Sequence, residues 1–161
     1  MAQEEVTRIK EFFSELGIHP VYMEHEAVIT SEDAAKTRGF ELRQGIKAIL
    51  FTNDTGGWVI ADIPADKKVD AKRVAEQLGW SKNKIRMATP DEVMQKTGCE
   101  LGAVPPFGHK ESLSIVVDTG VYKNNESTFN IGLRTQSVKV KTIDMKKVFE
   151  KVTATEGIFS K

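Results

Sequence analysis

Two apolar runs sharing one turn constrain this chain more than any other feature. Ile46-Lys47-Ala48-Ile49-Leu50-Phe51 and Trp58-Val59-Ile60-Ala61-Asp62-Ile63 flank Asn53-Asp54-Thr55-Gly56-Gly57. Turn chemistry between two strand-like runs predicts a β-hairpin. Ahead of it, Val6, Ile9, Phe13 and Leu16 recur at helical spacing, with Phe12 widening the stripe and Gly17 just beyond. They predict an amphipathic helix whose apolar side needs a sheet. A short extended piece is expected around Val21-Tyr22-Met23, then a helix N-capped by Thr30 or Ser31, with Glu32 and Asp33 in its first turn and Gly39 at its end.

After the hairpin, a helix is expected from Val69 to Leu78, stopped by Gly79, and another at Thr89-Pro90-Asp91-Glu92. A capping hydroxyl, a first-turn proline and a glutamate three residues on make the second start a capping box. Leu113 to Val117, Ser127 to Ile131 and Val138 to Thr142 read as strands, and Asp144 opens a last helix through Val148 and Phe149. Strands and helices mix without a regular βαβ period. The fold class is therefore α+β, a mixed or antiparallel sheet partly wrapped by helices. The 161 residues fit one domain, 1–161.

Composition narrows the function classes. Apolar residues at 40% and charged residues at 29% exclude disorder as the dominant state. Twenty-three Lys+Arg balance twenty-three Asp+Glu, which excludes a globally basic coat and leaves only a local patch for a polyanion. The single Cys99 cannot form an internal disulfide, and no apolar run approaches the roughly 18 residues of a membrane span. The chain reads as cytoplasmic, with no membrane partner.

Two features could carry chemistry. Lys47 interrupts an apolar strand and should share a face with Ile49 and Phe51. Either it snorkels its ammonium to water, or it stands at a pocket mouth and holds a phosphate or carboxylate. The stretch Gly102-Ala103-Val104-Pro105-Pro106-Phe107-Gly108 cannot be regular structure, because adjacent prolines lack N–H donors. Such a loop either aims backbone N–H groups into a concave site or is a rigid surface turn.

Taken in order, Tyr22 and His25, the strand Gly45 to Phe51, the Gly102 to Gly108 loop, Asp118 at a strand end, and Phe129-Asn130-Ile131-Gly132 resemble the YbaK/prolyl-tRNA synthetase-associated editing domain, from about Phe12 to Phe149. The resemblance implies a partly closed barrel surrounded by helices. It implies an aminoacyl-tRNA deacylase acting in trans on a small noncognate amino acid of the Ala, Cys and Ser class, carried by tRNA(Pro). By the same resemblance Lys47 positions the charged 3′ end and the Gly102 backbone grips the scissile carbonyl. Asn130 and Gly132 line the amino-acid pocket with Tyr22, His25 and Thr30 nearby, and Val104, Pro105, Phe107 and Gly108 belong to the substrate-binding loop. Aminoacyl-tRNA and a synthetase such as prolyl-tRNA synthetase are the implied partners, and no metal or cofactor is implied. An aminoacyl ester is already activated, so one oxyanion donor, contributing about 3 kcal/mol, and positioned water could suffice without a triad. Two residues depart from the family pattern: Ala48 stands where some alanine-specific members carry a polar residue, and Ser137 where cysteine-specific members carry an acid.

The tRNA body requires cations. Lys67, Lys68, Lys72, Arg73, Lys82, Lys84 and Arg86 cluster against fewer acids, Asp66, Asp70 and Glu76, and form either a phosphate-contacting surface or a solvated helix face. Three other readings compete with the deacylase. One is a noncatalytic tRNA-binding or synthetase-complex module of the same fold. A second is a dimeric aspartic protease using Asp118-Thr119-Gly120. The third is a thiol nucleophile, Cys99 with His25 or His109.

Overall fold

The computed structural model describes residues 2–27 and 39–161. The helix expected from Thr30 or Ser31, with Thr30 itself, lies outside the described residues, and Gly39, expected at its end, is a turn residue with a left-handed φ of 74°. The hairpin forms as its sequence dictates: β2 (Ile46–Thr52) pairs antiparallel with β3 (Trp58–Pro64), from Ile46 opposite Pro64 to Thr52 opposite Trp58. Asn53 closes the turn by accepting the N–H groups of Thr55 and Gly57 on its Oδ1 at 3.0 and 2.8 Å. Gly57 is there for space, since a Cβ would stand 2.6 Å from the Trp80 ring and 2.7 Å from the Asn53 side chain.

β3 is the centre of a five-stranded sheet ordered β4 (Arg86–Met87), β2, β3, β5 (Ser114–Asp118), β8 (Thr155–Gly157). β5 runs parallel to β3 and β8 parallel to β5, so the sheet is mixed. A second sheet holds β1 (Val21–Glu24), β7 (Gln136–Lys141) and β6 (Glu126–Asn130), in that order and all antiparallel. One parallel bridge, Gly45 with Thr128, brings the two sheets edge to edge, and neither closes on itself.

Four helices cover these sheets among the described residues: α1 (Ala2–Glu15), α2 (Ala71–Leu78), α3 (Pro90–Thr97) and α4 (Thr142–Lys151). Local chemistry sets their ends. Asp70 caps α2 by accepting from the Arg73 N–H, so the helix starts two residues later than Val69, which instead bridges to Ser160. Thr89 and Glu92 form the anticipated capping box at α3, at 3.2 and 2.9 Å. α4 starts at Thr142, ahead of Asp144, because the Thr142 hydroxyl is held 2.8 Å from that of Ser127 and its N–H donates to the Asn125 carbonyl.

Strand alternation gives the hairpin two apolar faces. Ile46, Ala48, Leu50 and Ile60 look into the main core, with Val6, Ile9 and Phe13 of α1 and with Phe107, Phe129 and Val138. Ile49, Phe51, Val59, Ala61 and Ile63 look the other way, onto Val74 of α2 and Phe159. Phe107 is the hub of the main core, its ring centroid 4.9 Å from Phe12, 5.3 Å from Phe13 and 6.1 Å from Phe129. That aromatic cluster plugs the space between the sheets.

Candidate active site

Lys47 is the second residue of β2 and shares its face with Ile49 and Phe51, away from the main core. β6 obeys the same alternation, with Phe129 in the main core and Asn130 turned outward. The parallel bridge between Gly45 and Thr128 sets the start of β2 against β6, with Lys47 and Asn130 each two residues beyond it on this outer face. Asn130 lies opposite Ser137 on β7, and Ser137 opposite Met23 on β1. A lateral row therefore crosses both sheets: Met23, Ser137, Asn130, Lys47.

Hydrogen bonds tie this row to the glycine-proline loop. His25 Nε2 lies 2.6 Å from Ser137 Oγ, Ser137 Oγ donates to Asn130 Oδ1 at 2.9 Å, and Asn130 Nδ2 donates to the Gly102 carbonyl at 2.6 Å. The amide of Asn130 is thus used from both ends, which fixes its orientation. With the only proton of Ser137 directed at Asn130, Nε2 of His25 must donate to Ser137. Nδ1 lies 2.8 Å from the Glu26 carbonyl.

The loop leaves the N–H groups of Gly102, Val104, Phe107 and Gly108 without an acceptor among the described residues, and of these only Gly102 is exposed. Gly102 adopts a left-handed φ of +87°, a conformation that favours glycine. Its carbonyl is committed to Asn130, while its N–H has no acceptor among the described residues. The flanks are held by Gly132, whose N–H donates to the Ala103 carbonyl at 3.0 Å, and by Arg134, which donates to the Leu101 carbonyl at 2.6 Å. Below them the loop is anchored from inside. Val104, Pro105 and Phe107 are buried, and a Cβ on Gly108 would stand 2.8 Å from Ile9. His109 donates from Nε2 to the Pro105 carbonyl at 2.6 Å, and burial lowers its pKa to about 4, keeping the ring neutral.

The Lys47 amine is half-buried and its pKa is lowered, first by burial and further by Lys68, while Asp66 opposes the shift. Tyr22 is not brought to the row: it lies opposite Val138, on the core side of β1, with the Lys10 ammonium 5.0 Å from its ring centroid. Met23 takes the outward place. The signal was in the sequence, since Met23 is two residues from His25 and so on the same face of an extended strand. Val104, Pro105 and Phe107 serve as anchors of the loop, and Gly102, His25 and Asn130 come together as one network.

The expected tRNA-binding cations are all exposed but unequally available. Arg86 is clamped between Asp54 and Glu92, at 2.8 Å from each, and this pairing pulls Glu92 down to about 2. Arg73 pairs with Asp70 at 3.4 Å and Lys82 with Glu76 at 3.8 Å. Lys67, Lys68, Lys72 and Lys84 have no ion pair among the described residues.

Two competing readings lose their chemistry. Asp118 is buried and accepts from the N–H groups of Phe159 at 2.7 Å and Gly120 at 2.9 Å, so it is a structural cap on the end of β5, unlike a protease aspartate facing a substrate. Cys99 lies in the core, where burial, with Glu5 adding to it, pushes the thiol up to about 12. A thiol so protonated is inert at neutral pH. Among the described residues no helix is long and apolar enough to cross a membrane.

Comparison with known proteins decides the family. The family model described as an aminoacyl-tRNA editing domain matches residues 25–148, which contain Lys47, Gly102, Asn130 and Ser137. The chain belongs to the aminoacyl-tRNA editing domain family. The resemblance read from the Lys47 strand and the glycine-proline loop is thereby borne out. The chain is similar to the multifunctional Ser/Thr-tRNA deacylase ProXp-y of Escherichia coli, at 34% identity over 150 residues covering 89% of each protein. A 92-residue stretch, 57% of this chain, is 32% identical to part of the proline–tRNA ligase of Trichlorobacter lovleyi, 16% of that enzyme. Among solved structures, a candidate trans-editing enzyme for prolyl tRNA synthetase superposes with a TM-score of 0.83 at 23% identity, over 98% of this editing domain and 97% of the other chain. That likeness extends the agreement to the α+β fold.

Proposed function

We propose that this editing domain is a deacylase that acts in trans, hydrolysing the ester between tRNA and a small noncognate amino acid. The observation that carries the reading is the chain of hydrogen bonds from His25 through Ser137 and Asn130 to Gly102, ending at a free N–H one strand away from Lys47. In this reading the Lys47 ammonium holds the 3′ end of the tRNA. The Gly102 N–H takes the negative charge that develops on the ester carbonyl oxygen as water adds. A preorganised donor of this kind contributes about 3 kcal/mol, roughly a hundredfold in rate. The ribose hydroxyl of the substrate activates the water, and collapse of the adduct releases the free amino acid and the tRNA hydroxyl. Lys47, Asn130 and Gly102 act by placement, so no side-chain nucleophile is needed.

Substrate choice follows from the row around Ser137. The amide of Asn130 and the hydroxyl of Ser137 favour serine within the Ala, Cys and Ser class, and the E. coli relative is a Ser/Thr-tRNA deacylase. A wall that excludes larger side chains discriminates by about 1–3 kcal/mol per methylene. The match to proline–tRNA ligases supports tRNA(Pro) as a carrier, that synthetase as a partner, and a cytoplasmic setting. The test is a panel of mischarged tRNAs followed for ester loss, with Lys47→Ala alongside. Hydrolysis of seryl-, alanyl- or cysteinyl-tRNA that drops about a hundredfold in the variant is the expected result. Binding across the panel without hydrolysis would leave the noncatalytic module in its place.

A further inference from the structure

A cleft of about 400 Å³ opens at the end of the five-stranded sheet where β2 begins and β3 and β5 end. Six charged side chains line it: Arg43, Lys67, Lys123, Lys161, Asp66 and Asp118. Asp118 is committed to two backbone N–H groups, and Arg43 to Glu41 and the Asn124 side chain. Lys67, Lys123 and Lys161 have no ion pair among the described residues. Three uncompensated ammonium groups therefore face one concavity, against the single uncommitted carboxylate of Asp66, in a chain whose formal net charge is zero. Like charges gathered in a concave surface repel, and an entering polyanion relieves that repulsion. Asp66 also joins the cleft to the active site, because it is the carboxylate that acts on Lys47.

We propose that this cleft binds the phosphodiester backbone of the tRNA acceptor strand leading to the 3′ end held at Lys47. The inference rests on the deacylase reading and adds where the nucleic acid runs. It moves the principal phosphate contacts from α2 and the segment after it, where Arg73, Lys82 and Arg86 already hold carboxylates, to the sheet end carrying Lys67 and Lys123.

The test compares two ester substrates, seryl-tRNA and seryl-adenosine, on the charge-reversal variant Lys67→Glu/Lys123→Glu and on Lys72→Glu/Arg73→Glu. Both pairs are exposed, so folding should survive and is checked by the melting curve. The cleft variant is expected to lose about tenfold or more in kcat/KM on seryl-tRNA beyond any loss on seryl-adenosine. Its log kcat/KM should fall less steeply with log salt, by about 1.4 to 1.8 for two phosphates. Equal losses on the two substrates, or a larger loss from the α2 variant, would overturn the proposal. If the wild-type protein hydrolyses neither seryl ester, nor alanyl- or cysteinyl-tRNA, the deacylase reading fails by itself. The affinity of uncharged tRNA for the two variants then decides the cleft separately: weakening by the Lys67/Lys123 reversal alone supports it, and no such weakening rejects it.

Discussion

The network through Asn130 and the buried acid Asp62 hold their polar groups in opposite ways. On the outer face His25, Ser137, Asn130 and the Gly102 carbonyl are joined end to end, and the orientation of each follows from its neighbour. In the interior, between Ala48 and Val117 in the sheet, Asp62 is wholly buried and neither carboxylate oxygen has a hydrogen-bond partner among the described residues. A joined network is preorganised for chemistry, whereas an isolated buried acid responds by keeping its proton. Burial alone raises the Asp62 pKa well above the usual aspartate value. The difference sets a preorganised network apart from Asp62, which is a cost to stability.

His109 stands between these extremes, buried with one hydrogen bond, and its effect has a defined pH window. Its folded pKa is about 4, against an ordinary value of 6.5. Above pH 6.5 the ring is neutral whether the chain is folded or not. As pH falls below that, the unfolded chain takes up a proton that the folded ring refuses, so stability declines until about pH 4. The loss amounts to about 3 kcal/mol. His109→Gln, which keeps a donor for Pro105, should lack this decline. Urea unfolding of both proteins across that window measures the difference, and parallel curves would mean that His109 does not hold the loop.

Cutting the outer network should affect catalysis more than folding. Asn130→Ala frees the Gly102 carbonyl and leaves Ser137 without its acceptor, so kcat should fall about a hundredfold, the scale of one misplaced oxyanion donor. Asn130→Asp sharpens the comparison. An aspartate still accepts from Ser137 but sets a carboxylate against the Gly102 carbonyl, and activity should fall as far as in the alanine variant. Near wild-type kcat in Asn130→Asp would show that only the Ser137 side of the amide matters. Ser137→Ala removes the middle link and should cost about tenfold, with substrate preference shifting from serine toward alanine.

Which parts could be read from sequence follows from how local their causes are. The hairpin turn at Asn53 to Gly57 and the Thr89/Glu92 box each depend on a few adjacent residues and stand where the sequence places them, whereas the cap at Asp70 starts its helix two residues after the expected Val69. β4 and β8, two and three residues long, carry no periodic signal and exist only because distant strands pair with them. In the site, Lys47 and the Gly102 loop were legible as misfits, a charge in an apolar run and prolines where no ladder can form. Met23 was overlooked in favour of Tyr22 because an aromatic residue draws attention, whereas its outward phase is set by pairing with Ser137, far away in the chain. The pairing of Arg86 with Asp54, thirty-two residues before it, likewise has no local signal.

The effect on the interior half of the comparison grows with pH. In the unfolded chain Asp62 ionises above about pH 3.9, whereas the folded protein must hold its proton or bury a charge with no partner. Wild-type stability should therefore fall, relative to Asp62→Asn, by about 1.4 kcal/mol for each pH unit above 4 until the folded group ionises. The asparagine has nearly the same shape and is as unpartnered as the protonated acid, so below pH 4 the two proteins should unfold together. At neutral pH the variant should be the more stable, with deacylation unchanged because Asp62 faces the main core and the row faces outward. A variant less stable at pH 7 would mean that the carboxylate has a partner in solution, and the contrast between a joined surface and an unjoined interior would dissolve.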